Sequence, residues 1–171
     1  MGTQARAIVE KAGLNADELI NLLNKAFCDE WLAYYQYWIG ARVVEGIPRA
    51  GLQPELEEHA AEELEHADKL AKRILELGGT PEVNPQQWFA LSSCGCLVPA
   101  DPSACALLEQ NLKGERCAIH VYNKILDYVN GKDLITSHLV RQILQEEEEH
   151  EQDLEDIQKD IDTFKRGCGK K

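Results

Sequence analysis

The amino-acid sequence predicts an all-α fold: a bundle of four long helices with a long crossover between the second and the third. Three observations lead there. Four long stretches repeat apolar residues at three- and four-residue intervals, the helical period. Within each pair of stretches the break is short, built on Gly46-Ile47-Pro48 in the first pair and Asn130-Gly131 in the second. Between the pairs lie residues 79–102, with prolines at 81, 85, 99 and 102, too interrupted for a long helix. No alternating strand pattern of any length is present. Short links join antiparallel neighbours, whereas the long link must travel the length of the bundle. The same observations fit a four-helix bundle with no cofactor.

Each element has its own signals. The first helix is expected from Asn15 to about Glu45. Leu19, Leu22, Leu23, Ala26 and Phe27 mark its apolar face, and Asn15 followed by Ala16, Asp17 and Glu18 is a start signal. The second is expected from about Pro54 to Leu77, where "GGTP" stops it. In the crossover, "PQQWFALS" suits one short helical piece. The third helix is expected to begin at Asp101-Pro102-Ser103, with Asp101 as cap and Pro102 at the first helical position, and to reach about Val129. The fourth is expected from about Asp133 to Phe164. The whole chain, residues 1–171, reads as one domain, with the bundle at about 15–164 and a short basic tail at 165–171.

Composition narrows the function classes. The net charge of -12 opposes direct binding to DNA phosphates but attracts cations. No apolar run is long enough to span a membrane, and the N-terminus lacks the apolar stretch of a secretory signal. A cytoplasmic location is therefore expected. Six cysteines stand at 28, 94, 96, 105, 117 and 168 without any pair of CxxC motifs, which excludes a rubredoxin-type or zinc-ribbon site.

The chemistry is carried by a repeated constellation. In "LQEEEEHEQDL", Glu147 and His150 are three apart and share a helix face. In "AAEELEHADKL", Glu63 and His66 do the same. One such Glu-x-x-His is a weak signal, because glutamate-rich helices produce it by chance. Here one lies on each even-numbered helix, and each odd-numbered helix supplies one glutamate amid apolar residues: Glu30 in "CDEWLAYYQYW" and Glu115 in "LKGERCAIHVY". An isolated buried carboxylate is costly, and a bound cation removes that cost. Glu63 to Glu147 and His66 to His150 are both 84 residues, and Glu30 to Glu115 is 85. The chain thus reads as two similar helix pairs about a pseudo-twofold axis. Four carboxylates and two imidazoles suit a pair of iron or manganese ions in a bundle core, with zinc a further candidate. Glu30 and Glu115 would be terminal ligands beside His66 and His150, with Glu63 and Glu147 bridging. Tyr34 and Tyr37, four and seven after Glu30, and Tyr122, seven after Glu115, either hydrogen-bond these carboxylates or simply pack. Glu62, Glu146, Glu148 and Glu149 read as the solvated remainder of their helices. His59, seven before His66, shares its face.

"EWLAYYQYW", "EELEHADKLAKRILELGGTPE" and "LQEEEEHEQDLEDI" resemble the first, second and fourth helix signatures of the ferritin-like superfamily with a bacterioferritin-type site. A cysteine before "PADP" together with "GERCAIHVY" is similar to the Dps-like group called thioferritin. The resemblance covers about residues 20–160. It implies a ferroxidase that oxidises Fe(II) with H2O2 or O2, stores ferric mineral in a hollow shell and protects against oxidative stress. Two iron ions per chain are implied, within one subunit. Bacterioferritin haem is held by paired methionines; here Met1 is the sole methionine and Leu64 stands where the haem ligand would be, so no haem is expected. With about seven residues after the fourth helix there is no room for the fifth helix of 24-subunit ferritins, so a homo-oligomeric cage of twelve is expected. The resemblance also implies a redox-active pair of Cys94 and Cys117, with Cys96 as the rival partner for Cys117. A rubrerythrin-like peroxidase or manganese catalase without storage, and a structural shell protein with an inert site, are the competing readings.

Overall fold

The structure is a computed structural model that describes residues 3–168. Its helices are α1 (Thr3–Lys11), α2 (Ala16–Val43), α3 (Arg49–Glu76), α4 (Trp88–Leu91), α5 (Ala104–Val129) and α6 (Leu134–Cys168), with one 3-10 turn at Pro85–Gln87 before α4. The four long helices, α2, α3, α5 and α6, form the bundle, in two antiparallel hairpins joined by the crossover. No described helix is long and apolar enough to cross a membrane.

Local chemistry sets the boundaries. Asn15 caps α2, its side chain accepting from the Asp17 and Glu18 amides. Gly78, at φ +81°, closes α3 in the left-handed region that favours glycine. Asp133 caps α6 through the Ile135 and Thr136 amides and is itself buried against Arg73 of α3.

Four boundaries depart from the sequence expectations. The α1 helix was not expected; its apolar signal is only Ile8 and Val9, and Val9 alone is buried. Helix α3 begins at Arg49 rather than Pro54; Pro54 is its sixth residue, and the helix continues through it at the cost of the one backbone bond its nitrogen cannot make. Ser103, not Asp101, caps α5. Asp101 instead accepts from the Ser103 amide, while Glu45 and residues 102 and 104 exchange backbone bonds that tie the end of α2 to the start of α5. Helix α6 runs four residues past Phe164, so the basic segment from Lys165 to Cys168 is helical; residues 169–171 of the expected tail lie outside the described residues.

Two apolar layers fill the bundle. One contains Leu19, Leu23, Leu70, Ile74, Ile125 and Ile143, and the other Leu52, Leu56, Leu107, Leu108 and Leu154. The Glu and His residues of the repeated constellation lie between them. The crossover is fastened to α2 by hydrogen bonds from the Cys94 amide to Asp29 (2.8 Å) and from the Leu97 amide to Gln36 (2.7 Å). Gln36 also donates to Asn111 of α5, so this buried amide has partners on both sides.

Candidate metal centre

All six candidate ligands singled out by spacing are buried and converge at the bundle centre. Each bundle helix brings its own: Glu30 from α2, Glu63 and His66 from α3, Glu115 from α5, Glu147 and His150 from α6. They form two overlapping groups, Glu30–Glu63–His66–Glu147 and Glu63–Glu115–Glu147–His150, with one ligand atom per residue lying within 4.8 Å of the others in its group. Glu63 and Glu147 belong to both, which is the placement of bridging ligands.

The histidines are oriented alike. His66 turns Nδ1 inward, 3.1 Å from Glu147, 3.2 Å from Glu63 and 3.4 Å from Glu30. His150 turns Nδ1 to Glu63, Glu115 and Glu147 at 3.6–3.8 Å. Each Nε2 faces outward onto a carboxylate from the opposite hairpin. His66 meets Glu146 at 2.6 Å and His150 meets Glu62 at 2.7 Å. A carboxylate on the far nitrogen fixes the tautomer that leaves Nδ1 free to ligate and raises its basicity. Glu62 and Glu146 were expected to be solvated. They too are 84 residues apart, which was a signal that the sequence carried. Glu146 is also held by Lys69 at 2.9 Å.

The tyrosines divide. Tyr37 donates its hydroxyl to Glu115 and Tyr122 donates to Glu30, each across the bundle to the other hairpin. Burial first, then the neighbouring carboxylates, pushes both phenols well above their ordinary pKa, so they stay protonated donors. Tyr34 packs edge-on against Trp31 at 6.0 Å and makes no hydrogen bond to a site carboxylate. His59, which shares the His66 face, stacks on the His150 ring at 4.1 Å.

The donor set fits cations. Buried, unpartnered atoms include Glu30 Oε2, Glu115 Oε2, both Glu147 oxygens and His150 Nδ1. Such a concentration of orphaned acceptors is costly in a protein interior and is relieved by ions placed among them. Without ions, the cluster holds protons. Burial and then repulsion from Glu63 push Glu30 well above the carboxylate range, and burial with Glu63 and Glu30 does the same to Glu147. Burial acts to raise Glu63 too, but the nearby imidazoles of His150 and His66 outweigh it and hold Glu63 low. Burial disfavours charge on His150, yet Glu115 and Glu63 push it up to about 12. Four carboxylates and two neutral imidazoles match the charge of two divalent ions, which would displace these protons.

Cys94 of the crossover and Cys117 of α5 form a disulfide, Cα–Cα 5.7 Å. Cys28, Cys96 and Cys105 are free. The disulfide borders the site: a cavity of about 30 Å³, room for a water-sized molecule, is lined by Cys94 together with Glu30, Glu63, Glu115 and Glu147.

Comparison with known proteins agrees with this geometry. A family profile described as "Ferritin-like domain" matches residues 20–164. The chain is 34% identical over 165 residues to the DNA protection during starvation protein of Pyrococcus furiosus, covering 95% of this chain and 89% of that one. It superposes with a TM-score of 0.94 and 48% identity on the bacterioferritin-related protein of Bacteroides fragilis, described as a dodecameric thioferritin, covering 96% and 97% of the two chains. The bacterioferritin of Desulfovibrio desulfuricans, described with a diiron site, superposes at a TM-score of 0.74 with 25% identity over 86% and 82%.

Proposed function

The chain belongs to the ferritin-like family, and from that premise we propose that it is a ferroxidase, taking two Fe(II) ions as substrate and storing the ferric product in a cage. The observation that carries this reading is the pair of overlapping ligand groups sharing Glu63 and Glu147. Shared carboxylates hold two ions close, about 3.5–4 Å apart in two-metal sites generally. That spacing suits a two-electron acceptor. Each Fe(II) gives up one electron; hydrogen peroxide takes both electrons and two protons, its O–O bond breaks, and two waters leave. O2 is the other candidate oxidant. Glu30 with His66, and Glu115 with His150, serve as the terminal ligands of the two ions. Tyr122 and Tyr37 orient the two terminal carboxylates, and Glu146 and Glu62 orient the imidazoles.

The Cys94–Cys117 pair is the second redox element of this proposal. As dithiol it can supply two electrons and two protons as the disulfide forms, matching the need of one peroxide. The place of Cys94 on the wall of the site cavity supports that role. The chain has no methionine other than Met1, which argues against haem held by paired methionines. Similarity to the dodecameric Bacteroides fragilis protein supports a shell of twelve subunits. The excess of acidic residues argues against direct DNA binding.

The test is the rate of Fe(II) oxidation, with O2 and with peroxide, in Glu115→Ala and His66→Ala. Both are expected to lose most of the activity while remaining helical and assembled. Parental rates in both would refute the ligand assignment. A light-scattering mass near twelve times 19.2 kDa is expected, and twice that would overturn the shell size.

A further inference from the structure

His59 is a buried histidine without an evident purpose in the dinuclear site. It is 1% exposed, and its Nδ1 has no hydrogen-bond partner. Its Nε2 lies 3.9 Å from Asp153, beyond hydrogen-bond range. The ring is fixed by two aromatic contacts, stacked on His150 and edge-on to Tyr37 at 5.2 Å. A buried polar ring left unpartnered is expensive.

The internal repeat shows what the position holds when packing alone decides. The residue 84 positions along from His59 is Ile143, fully buried in the core. The counterpart of Glu55 by the same offset is Leu139, and that of Asp153 is Lys69. Two apolar residues and a cation stand on one side of the pseudo-twofold axis. On the other stand two carboxylates and an imidazole. Glu55 and His59 are four apart on α3, on one face, and Asp153 meets them from α6. One ligand atom from each lies within 4.8 Å of the others. They line a cavity of about 140 Å³ that continues past Glu62 to His150.

We propose that Glu55, His59 and Asp153 form a third cation site, specific for a divalent transition-metal ion, on the approach to the dinuclear centre. The imidazole selects such an ion over Mg²⁺ or Ca²⁺, which take oxygen ligands. An ion central to the three atoms lies within about 2.8 Å of each, against about 2.0–2.2 Å for bound Zn²⁺. Glu55 and Asp153 are partly solvated and free to close that gap, while waters complete the shell. A role as a staging post for incoming Fe(II) rests on the ferroxidase proposal; the binding of a cation does not.

The experiment uses Zn(II) with the assembled protein. Ions per chain are counted after equilibrium dialysis, and positions are read from anomalous scattering at the zinc edge. Three ions are expected, one of them on His59. Asp153→Asn and His59→Ile, the latter supplying the residue that the repeat places there, should each abolish that peak or weaken it at least tenfold and leave two ions. His66→Ala should do the reverse, disrupting the dinuclear pair and sparing the His59 peak. Two ions only, or a third held elsewhere and unaffected by Asp153→Asn, would overturn the site. Loss of the dinuclear pair from the parent protein would instead overturn the functional reading.

Discussion

Replacing Glu62 by Ala removes the carboxylate 2.7 Å from His150 Nε2 without touching a ligand. The imidazole then loses its orienting partner and part of its basicity. Such outer carboxylates are generally worth about 10–100-fold in metal affinity, or roughly 1.4–2.7 kcal/mol. The Glu62 side chain is 43% exposed, so solvent already screens its charge and about tenfold is expected, at the His150 end only. Glu146→Ala should cost more at the His66 end. Its removal strips His66 of the same support and also leaves the Lys69 ammonium, 2.9 Å from the lost carboxylate, unneutralised beside a cation site. Adding Lys69→Ala to Glu146→Ala should therefore recover part of the loss. Titration of the anaerobic protein with Co(II), followed by visible absorption, reads both affinities, and anomalous occupancy at limiting metal assigns each to its end. Parental affinity in both single variants, or a Glu62 effect confined to the His66 end, would refute the reasoning.

Three further outcomes are expected. Peroxide treatment followed by peptide mapping should give a Cys94–Cys117 crosslink that dithiothreitol removes; closing a loop of this separation, 23 residues, is worth about 3 kcal/mol, so reduction should lower the thermal midpoint, and a crosslink of Cys117 to Cys96 alone would sink the pairing. Arg73→Met strands Asp133, which Arg73 contacts at 2.8 Å in a buried setting, and should cost about 3–5 kcal/mol in chemical denaturation, with a loss under 1 kcal/mol counting against a buried pair. Burial acts to raise Asp133, but hydrogen bonds from Thr136 and Arg73 outweigh it and hold the carboxyl below its ordinary range; a carboxyl lowered on folding adds stability above about pH 3.9 that fades as pH falls through the folded value, so the penalty of Asp133→Asn should shrink on acidification, and a penalty independent of pH would contradict the assignment.

The four long helices were legible because each keeps an apolar stripe over many turns, and a long stripe outweighs local ambiguity. Boundaries were less legible, since they depend on single residues with two acceptable uses. Pro54 reads as a helix start yet sits in the second turn of α3, and Asp101 and Ser103 both suit a cap. The buried Glu/His cluster stood out because glutamate within an apolar run demands a partner, and because the repeat doubled the demand. What surrounds them was harder to read. Tyr34 and Tyr37 both follow Glu30 at helical spacing, and spacing alone does not reveal that the partner lies across the bundle; Tyr37 reaches Glu115, while Tyr34 rests on Trp31. Glu62 and Glu146 sit in a run of like residues, where half-exposed and functional looks the same as solvated.

The reciprocal bracing of the two hairpins has a consequence for biosynthesis. The first hairpin carries Glu30, Glu63 and His66, yet its tyrosine and its outer glutamate both serve ligands on the second: Tyr37 serves Glu115 and Glu62 serves His150. In return Tyr122 and Glu146 serve Glu30 and His66. Neither half can therefore finish its own ligands. A chain emerging from the ribosome stays without the assembled Glu/His cluster until α6 has been made and docked, and a product truncated before α6 lacks both the second half of the cluster and the Glu146 that braces the first.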